Sequence, residues 1–476
     1  MLTYSFENRG NDSLYEFLYK QIKHDINSGK LIPNEKLPSK RALAKHLNIS
    51  TITVENAYSQ LLAEGYIYSV PKSGYYVSNI VSEKYKPDYD CHGKTADLPS
   101  FKLIQRDLTT NLAEDYEIDF VNNYTAPENF PFTIWTRLMR ETLSENKDKL
   151  MLKSPSTGVY ELRCAIADYL YQFRGIDAEP DQIIVGAGTE YLYGLLIQLL
   201  GHDKIYAVED PGYRKISRIY AANRVKCVYI PLDEQGINIE ALDNSDADVV
   251  HISPSHHFPT GIVTPISRRY ELLKWASKSK DRYIIEDDYD SEFRLLGKPI
   301  PALQSIDNSE KVIYMNTFSK SLASTIRISY MVLPKTLMER YNRELSFYAC
   351  TVSNFEQYTL AKFIERGYFE KHINRMRNHY RKIRDDILIH IKKHLKEKNG
   401  RIMEENAGLH FLLQVDTKFT DEELIAKAVK KGINISCLSQ YYHSRVNAVQ
   451  NILVINYSGL KSENIKESVC KLFDIF

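Results

Sequence analysis

The sequence predicts a multidomain protein: an N-terminal winged helix-turn-helix followed by a large α/β sheet domain with a smaller α+β C-terminal domain. Three observations carry this. Residues 13–77 contain three runs of helical periodicity and then two β-prone runs. From about Tyr116 onward, apolar runs of strand length alternate with helical stretches, as in a largely parallel sheet covered on both faces. At 476 residues, the chain also exceeds what one ordinary core accommodates.

In the first part, Leu14, Phe17, Leu18, Ile22 and Ile26 recur at helical spacing, and Gly29 offers a stop. Pro33 and Pro38 flank a short turn. Ser39 caps a second helix carrying Leu43 and Leu47. A third helix follows Ser50, with Val54, Ala57, Leu61 and Leu62 inward and Gly65 at its end. Tyr66–Tyr68 and Tyr75–Val77 surround Pro71-Lys72-Ser73-Gly74 and read as a wing. Periodicity then disappears until Asp115, a connection too long for the interior of one compact domain. The expected organisation is a DNA-binding domain over 11–79, a linker over 80–115 with some helix near Phe101–Leu112, and an effector domain over 116–476.

In the effector domain, strands are expected at Ile183–Val185, Ile205–Val208, Val225–Ile230, Val249–Ile252, Tyr283–Ile285, Val312–Met315 and Ile328–Leu333. A long helical tract, Leu337–Lys398, leads into a mixed segment with strands at His410–Gln414 and Ile452–Tyr457.

Composition narrows the class. The chain is 43% hydrophobic and 26% charged, with a formal charge of +1, so nucleic-acid binding requires a local basic patch. No secretory signal pattern and no apolar stretch long enough to span a bilayer is read, so no membrane association is expected. Six scattered cysteines without metal-ligand spacing fit a reducing cytoplasm, and no metal site is expected.

Polar clusters fall where the strands end, which is where open α/β sheets bind ligands. Gly186-Ala187-Gly188-Thr189 opens a helix and could hold a phosphate. Asp210-Pro211-Gly212-Tyr213 offers an aromatic ring to a flat ligand. Pro254–Gly261, which includes His257, follows another strand. Asp287 and Tyr289 end the next, and Thr317, Ser319 and Lys320 follow the one after. A lysine able to form a Schiff base, with a carboxylate able to hold a pyridinium nitrogen, is what pyridoxal 5'-phosphate (PLP) requires.

At these residues the sequence resembles the fold-type I aminotransferases, over roughly 116–476. The resemblance implies that Lys320 forms the internal aldimine, Asp287 salt-bridges the pyridine nitrogen, Tyr289 bonds the phenolic oxygen and Tyr213 stacks on the ring. Gly188, Thr189, Thr317, Ser319 and Arg327 would bind the phosphate. His257 stands near a position where that family often has Asn. It reads equally as a cofactor contact or as a loop histidine satisfied by its neighbours.

Residues 35–66 resemble the GntR-family winged helix, with four basic residues and no acidic one between Lys36 and Val54. The resemblance implies backbone contacts from Ser39, Lys40 and Arg41, and base contacts from Thr51, Thr53 and Asn56. Lys72, Ser73 and Gly74 form the wing tip. Many relatives carry Arg or Asn where this chain has Thr51-Ile52-Thr53, which shifts direct readout towards Arg41.

The combination is similar to the MocR/GabR subfamily, whose members are typically homodimers reading paired half-sites in double-stranded DNA. By that likeness, a small amino-group effector displaces Lys320 and forms an external aldimine, and so alters DNA affinity. The carboxylate-holding arginine of aminotransferases is missing from Leu453–Asn456, and Ser436–His443 offers no arginine; Arg445 lies beyond it, and Arg214 or Lys215 could serve in part. A regulator with little turnover is expected. The alternative is a working aminotransferase with a DNA-binding appendage.

Overall fold

Three serines set where the helices of the N-terminal unit begin. In the computed structural model, which describes residues 2–6, 9–10, 12–79, 116–122, 125–295, 300–406 and 408–476, Ser13 and Glu16 form a reciprocal capping box at the start of α1 (Leu14–Asn27). Ser39 Oγ accepts from Ala42 N at 3.2 Å and opens α2 (Lys40–Leu47). Ser50 Oγ accepts from Thr53 N at 3.0 Å and opens α3 (Thr51–Ala63). Leu18, Ile22, Leu43, Val54, Ala57, Tyr58 and Leu61 meet in one core. The wing is the antiparallel pair β1 (Ile67–Val70) and β2 (Gly74–Val77), joined through Lys72 at φ +62°.

The unit also uses residues ahead of the expected start at 11. Leu2, Tyr4 and Phe6 pack against its core. The Phe6 and Phe17 rings lie 5.5 Å apart, and Tyr4 OH donates to Asp25 Oδ2 at 2.8 Å. This strap is neither helix nor strand; Leu2, Tyr4 and Phe6 alternate with exposed Thr3 and Ser5 over a run too short to mark an element.

The chain divides into two compact units. The linker expected over 80–115, with its helical stretch near Phe101–Leu112, lies outside the described residues.

The second unit is built on an eight-stranded sheet: β3 (Ile183–Gly186), β4 (Ile205–Asp210), β5 (Lys226–Asp233), β6 (Gly236–Ile237), β7 (Val249–Ile252), β8 (Tyr283–Asp287), β9 (Val312–Thr317) and β10 (Ser329–Val332). Its spatial order is β3-β10-β9-β8-β7-β4-β5-β6. The β9-β8-β7-β4-β5 stretch is parallel; β10 runs antiparallel to both β9 and β3. Every residue of β3, β7, β9 and β10 is buried, which explains their continuous apolar runs. The β5 strand outlasts the expected Ile230 because it turns back into β6.

The helical tract expected over Leu337–Lys398 is three helices: Lys335–Glu344, Asn354–Glu365 and Tyr368–His394. Ser353 caps the second, and Gly367, at φ +70°, separates the second from the third. A four-stranded antiparallel sheet follows, β11 (Gly400–Met403), β12 (His410–Val415), β13 (Ser436–Cys437) and β14 (Ile452–Asn456), in the order β11-β12-β14-β13. Ile118–Asp119 pairs in parallel with Ile433–Asn434, tying the start of the second unit to this smaller sheet. Among the described residues, no helix is long and apolar enough to cross a membrane.

Asp25 is 4% exposed and is held by Tyr4 and by Lys30 at 3.2 Å. Tyr4→Phe removes one of these partners and is expected to destabilise the N-terminal unit by about 1 kcal/mol. Amide hydrogen exchange across Leu14–Asn27 should accelerate roughly fivefold; unchanged exchange would show that the Tyr4–Asp25 hydrogen bond contributes no stability.

Candidate functional site

The carboxyl ends of β3, β4, β7, β8 and β9 surround a cavity of about 650 Å³. Thr189, Tyr213, Asp287 and Tyr289 line it, as do Thr317, Ser319, Lys320 and Arg327. Residues far apart in sequence meet there because each lies at or beside a strand end on the same edge of the sheet.

Asp287 is the last residue of β8. Its Oδ2 accepts from Tyr193 OH at 2.7 Å and lies 3.6 Å from His251 Nε2. Its Oδ1 is buried without a hydrogen-bond partner. A buried carboxylate oxygen with unused accepting capacity, facing a cavity, calls for a donor from a ligand. Lys320 lies in the short turn after β9, where burial lowers its pKa against the opposing pull of Asp290 and Asp287. The shift enlarges the neutral, nucleophilic fraction of the amine.

Tyr289 has support behind it. Its hydroxyl lies 3.3 Å from His256 Nδ1, which is 2.8 Å from Asp290 Oδ2. Burial raises the Tyr289 pKa well above its ordinary value, and Asp290 adds to the shift, so the phenol keeps its proton. Gly408 packs against His256 so closely that a Cβ there would collide with the imidazole.

At the opposite end, Gly188 has φ +93° and precedes the helix α4 (Thr189–Leu200). A Cβ at Gly188 would overlap the Arg327 guanidinium. Arg327 Nη2 lies 2.8 Å from Glu190 Oε2, and Glu190 also meets Lys215. The Thr317 and Ser319 hydroxyls shape the loop: Thr317 Oγ1 accepts from Ser319 N at 3.2 Å, and Ser319 Oγ donates to Ile326 O at 2.8 Å. The donor set fits pyridoxal phosphate: a reactive amine, an unpaired carboxylate oxygen, a phenol, and a phosphate-sized cradle of helix N-terminus and guanidinium.

Tyr213 precedes the helix α5 (Arg214–Ala222), is about half exposed at 49%, and meets Phe258 edge-on at 5.9 Å. The smaller domain fastens beside it. Gly212 N donates to Tyr441 O at 3.2 Å, His443 N donates to Asp210 Oδ1 at 2.8 Å, and the His443 ring stacks on Tyr229 at 3.6 Å.

His257, like Gly188, is not among the residues lining the cavity. It lies buried, with Nδ1 at 2.7 Å from Thr260 Oγ1 and Nε2 at 3.4 Å from Glu209 Oε2. Burial, with some help from His256, lowers its pKa to about 3, and burial raises Glu209 to about 8. At pH 7 both groups are therefore neutral, and His257 is held through Nδ1 by Thr260 while its Nε2 has no hydrogen-bond partner. Sequence reasoning missed Tyr193, His251, Glu190 and the His256–Asp290 pair. Tyr193 sits one turn past Thr189 on α4, which was the available signal.

In the N-terminal unit, Arg41, Thr51, Asn56 and Lys72 are exposed. Ser39 serves as the α2 cap. Lys40 pairs with Glu55 at 2.6 Å and lies 5.6 Å from the Tyr75 ring centre, while Lys36 lies 5.8 Å from that of Tyr76. These lysines bridge the helices to the wing. Gly74, at φ +120°, begins β2. Thr53 is partly exposed, and its hydroxyl lies 2.8 Å from Ser50 Oγ at the helix cap.

Two outcomes are expected. Gly188→Ala should displace Arg327 and weaken pyridoxal phosphate binding roughly tenfold, about 1.4 kcal/mol, read by titration of visible absorbance. Glu209 holds its proton when folded between pH 4.5, its ordinary value, and about 8. Its stabilising contribution is complete below that window and is lost as pH rises through it. Glu209→Gln should therefore show a smaller fall in thermal midpoint across this range than the native chain; an equal fall would assign the pH dependence elsewhere.

Comparison with known proteins accounts for both units. The family described as bacterial regulatory proteins, gntR family, matches residues 14–77, and that described as aminotransferase class I and II matches 120–472. The chain is 41% identical to the HTH-type transcriptional regulator YdeL of Bacillus subtilis over 98% of each chain. It is 31% identical to the probable rhizopine catabolism regulatory protein MocR of Rhizobium meliloti, covering 97% of this chain and 94% of that one. The structure of Pyrococcus horikoshii kynurenine aminotransferase in complex with PMP matches with a TM-score of 0.67 and 25% identity, covering 78% of this chain and 93% of that one. With a gntR-type winged helix and an aminotransferase class I and II domain in one chain, and relatives of the same length and order, this protein belongs to the MocR-like branch of the GntR family of transcription regulators.

Proposed function

We propose that the protein binds pyridoxal phosphate through Lys320 and that reaction of this site with a small amine governs DNA binding by the winged helix. The carrying observation is that Lys320, Asp287, Tyr289 and Arg327 line one cavity in a chain that also holds a gntR-type DNA-binding unit. When bound, pyridoxal phosphate supplies a carbonyl carbon that condenses with amines and a ring that withdraws electrons. Lys320 Nζ would be the amine that holds the cofactor, and burial, which lowers its pKa, would keep more of it in the neutral form. Asp287 Oδ1 would accept the ring N–H, and Tyr289, braced by His256 and Asp290, would offer its hydroxyl to the ring oxygen. Gly188, Thr189 and Arg327 would hold the phosphate.

A homodimer reading paired half-sites and an amino-group effector complete the proposal. The effector switches the protein only if its affinity differs between the DNA-competent and DNA-incompetent arrangements. The aminotransferase reading is weakened by β14, where Leu453, Val454 and Ile455 are buried and Asn456 is the polar residue lining the cavity. None of these can neutralise a substrate carboxylate.

The test is the visible spectrum of the purified protein with pyridoxal phosphate and a panel of amines and dipeptides. A borohydride-sensitive band is expected, lost in Lys320→Ala while operator binding without effector persists. A stable spectral change with one amine, free of keto-acid release, supports a regulator. Steady keto-acid formation would make the protein an enzyme first, and absence of any band would remove the cofactor from the account.

A further inference from the structure

The α3 helix carries no basic residue. Contacts to base edges from this helix must therefore come from neutral or acidic side chains. At 3.6 residues per turn, the buried Val54, Ala57, Tyr58 and Leu61 define one side of α3, and Ile52 lies within about 10° of the opposite point. Asn56 is one turn on and roughly 30° from that point, while Thr51 and Thr53 fall about 90–110° away, at the margins. The centre of the outward face is thus an isoleucine beside an asparagine.

Ile52 is 68% exposed. Isolated apolar side chains are common on protein surfaces; its azimuth on this particular helix distinguishes it. Two polar neighbours are already engaged, Glu55 with Lys40 at 2.6 Å and Thr53 with Ser50 at 2.8 Å. The major groove offers one apolar group to such a side chain, the C5-methyl of thymine. We propose that Ile52 is a specificity-determining residue that packs against a thymine methyl, with Asn56 positioned to bond an adenine N6/N7 edge at a neighbouring base pair. Operator half-sites would then carry an A·T-rich step under the start of α3, with methyl contact replacing the charged guanine contact that this helix cannot make.

The inference rests on the DNA-binding reading of the N-terminal unit, and the experiment separates the two. The full-length protein selects duplexes from a random-sequence library, and each thymine of the recovered site is then replaced by uracil, which deletes only the methyl. One replacement in a single half-site is expected to weaken native binding about fourfold, as loss of one buried methyl requires. Ile52→Ala should bind the thymine and uracil duplexes equally, and Ile52→Val should retain the preference. The inference is overturned if the native protein ignores every uracil replacement, or if Ile52→Ala still discriminates. If no duplex is retained at all, the DNA-binding reading itself fails and takes this inference with it.

Discussion

A buried ion pair underlies the arrangement of the ligand site. Arg174 and Asp288 are 2% and 1% exposed and meet at 2.8 Å. Asp288 also accepts from Ser291 Oγ at 2.8 Å and Tyr314 OH at 2.5 Å. Breaking such a pair from one side costs about 3–5 kcal/mol, because the remaining charge is stranded. The pair anchors an unusual turn: Glu286, Asp287, Asp288, Asp290 and Glu292 are all buried. Alternation along the strand end sends Glu286 and Asp288 away from the cavity. Glu286 accepts from the Leu303 and Gln304 amides at 2.8 and 2.9 Å. With that side neutralised, Asp287 and Tyr289 are free to face the ligand. Burial still raises Glu286 to about 6 and Glu292 to about 7, so the turn sits near the limit of the charge its surroundings can hold.

Much of this was legible in the sequence because strand ends are punctuated. An apolar run followed by Glu286-Asp287-Asp288-Tyr289, or by Thr317–Lys320, marks both the sheet and its ligand edge. What stayed hidden carried a weak local signal or none. Tyr193 stands among leucines on α4 and reads as core, and its partner Asp287 lies far along the chain. His251 is buried inside β7 and reads as strand interior. His256 and His257 are adjacent and chemically identical, so only burial and packing tell the residue behind Tyr289 from the one beside Glu209. The N-terminal strap of Leu2, Tyr4 and Phe6 alternates with Thr3 and Ser5, but over a run too short to mark an element.

The same limit applies on the DNA side. Serine caps and helical periods locate α2, α3 and the wing, and hence the outward face. They do not say which hydroxyls are already engaged. Ser50 draws Thr53 into the cap, and Glu55 draws Lys40 to it, so the side chains left to meet a base are fewer than the sequence suggests. Lys36 and Lys40, placed near the wing tyrosines, couple the orientation of the wing to that of the helices.

The Arg327–Glu190–Lys215 chain has a consequence for how tightly the cradle would hold a phosphate. Glu190 is a carboxylate tethered beside the guanidinium, so it competes with a phosphate from within the site. The three charges sum to one surplus positive, and an arriving dianion meets that surplus rather than two bare cations. The pairs are about half exposed, each worth about 0–1 kcal/mol, so the competition changes occupancy by a few-fold without closing the site. Such a cradle behaves as a balance set against the surrounding supply of its ligand, not as a permanent socket.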